Sequence, residues 1–172
     1  EKEKFEVYPN RDSLPFIKQY DFDQNWKIKR FVRGTLRNLG WKKAWQEIFQ
    51  NIEDINIDSD LERLENLSNK LWNKYSYKEN EEDRVVLNVS LKASKNNIIK
   101  FDRSYLLDAW GDKKSTAMAR LVSIPVALAV ESVLKRKISF GVSAAPKSSK
   151  LVSEWLDKIK KEAQIFNFIN KS

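Results

Sequence analysis

Two short segments of this sequence place arginine next to hydroxyl, amide and turn-forming residues. They are Pro9-Asn10-Arg11-Asp12-Ser13 and Arg33-Gly34-Thr35-Leu36-Arg37. A guanidinium is a rigid fork of N–H donors that fits a carboxylate through two hydrogen bonds. Three arginines close to such turns therefore indicate an anionic small-molecule ligand.

Other interpretations start from the positive charge of the chain. Its 32 Lys and Arg residues outnumber 24 Asp and Glu residues, which gives a formal net charge of +8. The arginines could be ordinary solvated residues, and clustered basic residues could bind nucleic acid. The basic residues are scattered among acidic ones, however, and the aromatic residues do not alternate with arginine as on a base-stacking surface. The sequence therefore disfavours a nucleic-acid-binding module, while a purely structural dimerisation domain stays an alternative.

The composition excludes several kinds of chemistry. The chain has no cysteine and no histidine, which excludes thiolate nucleophiles, disulfides, Cys/His metal sites and imidazole acid/base catalysis. The N-terminus lacks the apolar segment of a signal peptide, and the apolar run at residues 121–130 is too short to cross a bilayer. We therefore expect a cytoplasmic protein with no metal and no membrane partner. A start without Met indicates an excised piece of a longer protein.

Two predicted strands deliver the two arginine segments. Residues 5–8 alternate apolar and polar side chains before Pro9, and residues 28–32 are a second strand candidate that stops at Gly34. Both segments would then follow the C-terminal ends of strands, which is where open α/β sheets bind ligands.

Two amphipathic helices are predicted after the second segment. One apolar stripe begins at Trp41 and Trp45, and another follows the capping-box pattern Ser59-Asp60-Leu61-Glu62 and continues to Trp72 and Tyr75. We assign the apolar side chains of both stripes to the core.

The second half of the chain predicts a hairpin, a buried helix and a closing strand. Residues 85–91 and 99–107 read as the two hairpin strands, with a turn at residues 94–97, and the acidic residues 79–83 read as a solvated turn. A helix from Thr116 to about Arg136, capped by Ser115, is apolar on nearly every side, so we expect it to be central and buried. A strand at residues 138–143 and a terminal helix that includes Phe166 complete the chain.

The predicted fold class is α/β, in its α+β form. We expect a single domain over residues 1–172, with a mixed β-sheet covered by helices. The four glycines, at positions 34, 40, 111 and 141, are too far apart to form a dinucleotide-binding loop. The sequence alone therefore offers no complete catalytic apparatus.

Four segments of the chain resemble, in order, the substrate domain of the saccharopine dehydrogenase family, the glutamate-forming saccharopine reductases. The first two are Tyr8-Pro9-Asn10-Arg11-Asp12-Ser13-Leu14 and Arg33-Gly34-Thr35-Leu36-Arg37 with Gly40-Trp41. The third is Glu79-Asn80-Glu81-Glu82-Asp83-Arg84-Val85-Val86-Leu87. The last is Ser115-Thr116-Ala117-Met118-Ala119-Arg120-Leu121-Val122 with Ile124-Pro125, followed by Gly141-Val142 and Pro146. The resemblance covers nearly the whole chain, and the combination of segments is specific.

The resemblance implies a two-domain oxidoreductase of lysine metabolism. An upstream Rossmann domain, absent from this sequence, would bind NAD or NADP, and this chain would be the C-terminal substrate-binding and dimerisation domain. The parent enzyme would interconvert saccharopine with glutamate and aminoadipate semialdehyde. The fragment itself would hold no catalytic or cofactor-binding residue and would be inactive alone. Its partners would be saccharopine, or a similar multi-carboxylate amino acid, and a second copy in a homodimer.

The same resemblance implies the substrate-binding residues. Arg11, Arg33 and Arg37 would recognise carboxylates. The amine and carboxylate ends of the substrate would be positioned by Asn10, Asp12 and Thr35, and Ser13 belongs to the same substrate-binding set. Because Asn38 and Asn88 depart from the family pattern, a related carboxyalkyl-amine dehydrogenase of the carboxynorspermidine type stays an alternative.

Overall fold

The computed structural model describes residues 3–53, 55–56 and 59–171. Its helices and antiparallel sheets form an α+β fold, which confirms the predicted fold class. The chain divides into two compact units, Glu1–Glu79 and Asn80–Ser172. The strands form two antiparallel sheets, one in each unit, instead of the expected single mixed sheet.

The first unit contains a two-stranded sheet and helices. Strand β1 (Phe5–Pro9) pairs antiparallel with strand β2 (Gly34–Asn38). Its helices are α1 (Pro15–Gln19), α2 (Trp41–Glu53) and α3 (Leu61–Tyr75).

Residues 28–32 do not form the predicted strand. The segment is irregular, and the ring of Phe31 lies 6.1 Å from the ring of Tyr20 and 5.7 Å from that of Phe22, measured between centroids. Packing against these rings outweighs the strand propensity of the segment. Pairing with β1 begins at Gly34, so the second arginine segment forms the strand itself rather than a loop that follows one.

The predicted helices α2 and α3 are both present, but parts of α3 differ from the prediction. In α2 the rings of Trp41 and Trp45 stack with centroids 5.3 Å apart, as the apolar stripe predicts. Helix α3 begins after Asp60, which makes no side-chain cap bond because its Oδ2 accepts from the backbone N of Asn56 at 3.0 Å. Trp72 and Tyr75 are 72% and 67% exposed, so their assignment to the core is wrong.

The second unit contains a three-stranded sheet with strand order β3-β4-β5. Its elements are β3 (Arg84–Lys95), β4 (Ile98–Trp110), α4 (Ala117–Leu134), α5 (Ser149–Ile159), a single 3-10 turn (Lys160–Glu162) and β5 (Ile165–Asn170). The core of this unit is formed by Leu107, Ala109 and Ala117, with Leu121 and Phe166 packed against it.

The predicted hairpin is confirmed and is longer than its sequence pattern. Lys95 pairs with Ile98, which leaves Asn96 and Asn97 as a two-residue turn. Their φ angles are 51° and 61°, as a type I′ turn requires, and asparagine adopts this left-handed conformation at low cost.

The closing strand lies later in the chain than predicted. Residues 138–143 form no strand, and Phe166 belongs to β5 rather than to a helix. In β5 Phe166 lies opposite Leu107 of β4, and Phe166 and Phe168 share one face at the two-residue period of a strand. The helical period of the preceding residues ends with α5.

Helix α4 is fixed at its N-terminus by two side chains. Thr116, rather than the predicted Ser115, caps it, because Oγ1 of Thr116 accepts from the backbone N of Ala119 at 3.1 Å. The buried carboxylate of Asp83 accepts from the backbone N of Ala117 at 2.7 Å and from that of Met118 at 2.8 Å. The acidic segment before β3 is therefore partly structural and not only a solvated turn.

The expectation that α4 is central and buried is wrong. Its inner side packs on the sheet through Ala117 and Leu121, but only 11% of its 18 residues are buried. With a mean hydropathy of 1.7, this helix is long and apolar enough to cross a membrane, by length and composition alone. The apolar segment is thus longer than the run at residues 121–130.

Candidate ligand-binding site

The two arginine segments lie side by side in the first unit. The antiparallel register of β1 and β2 places Tyr8 opposite Thr35 and Pro9 opposite Gly34. The backbone N of Asn10 donates to the carbonyl oxygen of Arg33 at 2.9 Å, which extends the pairing by one residue. The end of the first segment therefore meets the beginning of the second.

One face of this strand pair carries most of the candidate residues. Residues directly opposite each other in an antiparallel pair share a face, and every second residue along a strand returns to that face. We call this the arginine face, and it is formed by Glu6, Tyr8, Asn10, Arg33, Thr35 and Arg37. Four of the seven predicted site residues thus come together on it.

Arg33 is held by contacts to helix α1 and to the loop before it. Its Cζ lies 3.6 Å from the centroid of the Phe16 ring, a cation–π contact at close range. Its backbone N donates to Oγ of Ser13 at 3.1 Å. Ser13 therefore acts on the position of Arg33, while its hydroxyl is engaged within the protein.

Arg37 lies against helix α2. Its Cζ is 5.6 Å from the centroid of the Trp41 ring, and the Trp41 ring packs in turn on Tyr8, with centroids 4.9 Å apart. Because Trp41 is the first residue of α2, the position of the Arg37 guanidinium depends on where this helix begins.

Glu6 joins the start of α2 to β1. Its Oε1 accepts from the backbone N of Gly40 at 2.7 Å, and its Oε2 accepts from that of Lys42 at 3.2 Å and from the Tyr8 hydroxyl at 2.5 Å. The hydrogen bond from Tyr8, followed by those from the two backbone N–H groups, lowers the pKa of Glu6. The same bond to Glu6 raises the pKa of Tyr8. Glu6 therefore carries its charge while it fixes the helix that supports Arg37.

Arg11 and Asp12 belong to the turn beyond the strand pair. Arg11 is exposed and has a φ of 57°, a left-handed conformation that is uncommon for a residue with a side chain. Oδ1 of Asp12 accepts from the backbone N of Leu14 at 3.0 Å. Asp12 is therefore used within its own turn, and Arg11 follows directly after Asn10 of the arginine face.

The three arginines of the site differ from other arginines of the chain in their partners. In the part of the chain that the structure describes, no carboxylate lies within ion-pair distance of Arg11, Arg33 or Arg37. Arg84, by contrast, binds Asp108 at 2.6 Å, and Arg120 binds Asp112 at 3.2 Å. An arginine that rests on a ring keeps its N–H edges available for an acidic ligand.

The sequence analysis missed the residues that support the arginines. These are Glu6, Tyr8, Phe16 and Trp41. The alternation of Glu6 and Tyr8 before Pro9 was a signal that both share one face of a strand. The ring contacts of Phe16 and Trp41 left no comparable signal, because they depend on where α1 and α2 lie relative to β2.

The residues of this chain do not fit a dinucleotide cofactor. Such a site needs a strand, a glycine-rich turn and a helix whose N-terminus holds the pyrophosphate. The glycines lie in four separate segments, and among the described residues no turn of this kind joins a strand to a helix. We therefore assign no step of hydride transfer to this chain.

The α+β fold of this chain places arginine, hydroxyl and amide donors on one face of a strand pair. Over residues 1–165 the sequence matches the family described as the saccharopine dehydrogenase C-terminal domain, and the chain belongs to this family. The resemblance noted in the sequence is thereby confirmed, and the parent enzymes of this family are oxidoreductases. No curated protein matches the chain.

Proposed function

We propose that this chain is the substrate-binding domain of an NAD(P)-dependent saccharopine dehydrogenase. The parent enzyme would oxidise the secondary amine of saccharopine and release glutamate and aminoadipate semialdehyde. A Rossmann domain upstream of this chain would bind the cofactor and supply the hydride acceptor. Family membership supports the class of enzyme, and the arginine face supports the class of ligand.

The observation that carries the proposal is that Arg33 and Arg37 lie on one face and that each contacts an aromatic ring. Both belong to the arginine face, four residues apart in an extended segment, so their Cα atoms are about 13 Å apart. Each guanidinium rests on an aromatic ring, Phe16 or Trp41. Two supported guanidiniums at this spacing suit a ligand with more than one carboxylate.

The ligand chemistry favours saccharopine over the carboxynorspermidine type of substrate. Saccharopine bears three carboxylates, whereas a carboxylated polyamine bears additional amines that are positively charged at neutral pH. Positive groups close to Arg33 and Arg37 would be repelled. A carboxynorspermidine-type substrate is the second candidate only because the related carboxyalkyl-amine dehydrogenases also act on a carbon–nitrogen bond.

The proposal includes the setting of the parent enzyme. We place it in the cytoplasm as a homodimer, and a chain without cysteine is compatible with that reducing compartment. We propose no metal ion, since the chain has neither cysteine nor histidine. Membrane insertion is not part of the proposal, because one side of α4 packs on the protein through Ala117 and Leu121. Nucleic acid is not part of it either, because the charged residues have mixed signs.

The test is a binding titration of the purified chain with saccharopine, followed by calorimetry or by NMR of the arginine Nε–H signals. We expect Arg33→Lys and Arg37→Lys to weaken binding by about tenfold or more, because each loses bidentate hydrogen bonds to a carboxylate. Arg11→Ala should weaken it as well. Norspermidine carrying one carboxylate should bind more weakly than saccharopine.

Arg136→Ala is a matched control for Arg11→Ala. Both arginines are exposed and have a left-handed backbone, with φ of 53° at Arg136 and 57° at Arg11. The two substitutions should therefore have the same effect on the free-energy cost of that backbone conformation. Equal affinity for saccharopine in both variants would show that Arg11 does not belong to the binding site. In the parent enzyme, an unchanged KM for saccharopine in all three variants, or a change in NAD(P) affinity alone, would overturn the proposal.

A further inference from the structure

The arginine face is not uniformly positive. In the register of β1 and β2, Glu6 lies directly opposite Arg37, and Tyr8 is the next residue of β1 on the same face. Glu6 is ionised, because the hydrogen bond from Tyr8, followed by those from two backbone N–H groups, lowers its pKa. A negative charge therefore lies beside one of the two arginines that contact an aromatic ring.

The hydroxyl of Tyr8 already uses its proton. A phenol has one O–H donor, and the lone pairs of its oxygen are acceptors. Tyr8 donates its proton to Oε2 of Glu6 at 2.5 Å, and this hydrogen bond raises the pKa of Tyr8, so the phenol stays neutral. The ionised carboxylate polarises the O–H group, which strengthens its oxygen as an acceptor. Toward a ligand, Tyr8 is therefore an acceptor and not a donor.

An acceptor with a negative charge behind it discriminates between the groups of an amino acid. A carboxylate has only acceptor oxygens at neutral pH, so it gains nothing from Tyr8 and is repelled by the charge of Glu6. A protonated amine has only donors and forms a charge-assisted hydrogen bond there. The charge of Lys42 also acts on Glu6, but it contributes least to the lowered pKa of Glu6. The pair of Glu6 and Tyr8 therefore favours an ammonium group.

Arg37 and Tyr8 are brought together by the ring of Trp41. The centroid of this ring lies 5.6 Å from Cζ of Arg37 and 4.9 Å from the centroid of the Tyr8 ring. In the described part of the chain Glu6 forms no ion pair with Arg37, because its two oxygens accept from N–H groups at the start of α2. A guanidinium donor and an acceptor backed by a negative charge thus lie side by side without neutralising each other.

This combination matches a primary α-amino acid, which carries an ammonium and a carboxylate on one carbon atom. Saccharopine has such a group at its lysine-derived end. Its glutamate-derived end has two carboxylates and the secondary amine at which oxidation takes place. Hydride transfer from the carbon next to that amine needs the nitrogen lone pair, and an acceptor that stabilises the protonated amine would oppose it. The pair of Glu6 and Tyr8 therefore suits the ammonium that does not react.

We propose that Tyr8, backed by Glu6, accepts a hydrogen bond from the primary ammonium of saccharopine, and that Arg37 binds the carboxylate on the same carbon. Arg33 lies about 13 Å further along the strand and faces Asn10 across the strand pair. Arg33 then binds the glutamate-derived end. This inference rests on the proposed function and extends it by fixing which end of the ligand each arginine holds.

The first test compares saccharopine with N-(5-carboxypentyl)glutamate, which lacks only the primary amine. We expect the wild-type chain to bind saccharopine at least about tenfold more tightly, because a hydrogen bond to a charged group is lost in the analogue. Tyr8→Phe, which keeps a ring against Trp41, should reduce this preference to less than about threefold. Calorimetric titration measures both affinities.

The outcomes of this comparison separate the inference from the proposed function. Equal affinity of the wild-type chain for the two ligands would overturn the inference alone. Binding of neither ligand would overturn the proposed function and the inference with it. Equal weakening of both ligands by Tyr8→Phe would show that Tyr8 contacts the secondary amine, and this result would also overturn the inference.

The second test assigns the two ends with N-(5-aminopentyl)glutamate, which lacks only the carboxylate of the lysine-derived end. Arg37→Lys should weaken saccharopine binding about tenfold but change the affinity for this analogue little, because the carboxylate that Arg37 holds is absent from it. Arg33→Lys should weaken the binding of both ligands alike. The reverse pattern would place the lysine-derived end at Arg33 and would overturn the inference.

Two substitutions on the same strand pair and turn are the controls. Thr35→Val removes the hydroxyl opposite Tyr8, and Asp12→Asn removes the other acid of the first arginine segment. Neither should change the preference for saccharopine over the ligand without the primary amine, whereas Glu6→Gln should reduce it. Near-UV circular dichroism at pH 7 checks that every variant folds. Loss of the preference in a control, with the preference intact in Tyr8→Phe, would overturn the inference.

Discussion

Two arginines of the candidate site, Arg33 and Arg37, lie against flat aromatic rings instead of pairing with carboxylates. A ring holds a guanidinium in place by dispersion and by attraction to its electron-rich face, without occupying the N–H groups at the edge of the fork. Arg33 over Phe16 is the clearest example, with 3.6 Å between Cζ and the ring centroid. Rings thus orient the donors while leaving them available to a ligand.

We predict that Phe16→Leu weakens saccharopine binding about two- to fivefold, because the apolar volume is kept while a cation–π contact of about 0.5–1 kcal/mol is lost. Calorimetric titration measures the effect. Phe101→Leu is the matched control, since Phe101 lies beneath Arg103 at 4.5 Å in the second unit. A loss of affinity in Phe101→Leu equal to that in Phe16→Leu would contradict a specific role for the ring under Arg33.

Glu6 makes the first unit sensitive to acid. Its pKa is lower in the folded chain than the ordinary 4.5, first because of the hydrogen bond from Tyr8 and then because of the Gly40 and Lys42 N–H groups. A carboxyl with a lowered folded-state pKa stabilises the fold above its unfolded-state pKa, and that contribution disappears as the pH falls through the folded-state pKa. The start of α2 should therefore loosen in acid.

We predict that Glu6→Gln lowers the free energy of unfolding by a constant amount near neutral pH, and that the difference from wild type shrinks below about pH 4.5. Urea unfolding, followed by near-UV circular dichroism at a series of pH values, measures it. Tyr8→Phe should shift the acid transition of the wild type toward higher pH, since it removes the largest cause of the lowered pKa. A difference that stays the same down to about pH 3 would contradict this account of Glu6.

Individual elements show what the sequence could predict. The hairpin of β3 and β4 has apolar residues at every second position from Val85 to Leu91 and two asparagines at its turn. Helix α2 has apolar residues at helical spacing and α4 is a long apolar run, so local pattern is enough to locate these elements. The strand expected at residues 28–32 does not form because Phe31 packs against the rings of Tyr20 and Phe22. The local alternation of side chains gives no sign of this packing. The strand β5 was missed because Phe166 follows Ile159 of α5 by seven residues, a spacing that also fits two turns of a helix.

The candidate site was predicted at the level of segments but not of geometry. Both arginine segments were recognised by composition, and pairing of β1 with β2 does bring them together. The roles of Glu6 and Trp41 could not be derived, because they follow from the position of α2 beside the strand pair. The buried role of Asp83 was missed for the same reason: it caps a helix more than thirty residues away.

The joint between β3, β4 and α4 is too tight for any side chain at Gly111. A Cβ there would lie 2.3 Å from Oδ1 of Asp83, which also holds the first N–H groups of α4. We predict that Gly111→Ala destabilises the second unit by about 1–3 kcal/mol, measured by chemical unfolding. In an Asp83→Ala background the same substitution should cost clearly less. Additive effects of the two changes would contradict a clash between them.

The division of the chain into two compact units has its own consequence. The sheet, the core around Leu107 and the caps of α4 and α5 all lie within Asn80–Ser172. We predict that a protein of residues 80–172 folds alone, with a cooperative thermal transition and a dispersed amide NMR spectrum. Leu107→Ala in this protein should abolish the transition or lower its midpoint. A disordered spectrum of the unsubstituted protein would contradict the independence of this unit.

The turn at Asn96 and Asn97 also affects how the second unit can form on the ribosome. Strands β3 and β4 are consecutive in the chain and joined by two residues that already favour the required backbone, so they can pair as soon as both have left the exit tunnel. Strand β5 follows two helices in the chain, so it can add to the free side of β4 only after both helices have been translated. Until then the edge of β4 stays open to chaperones and to other nascent chains.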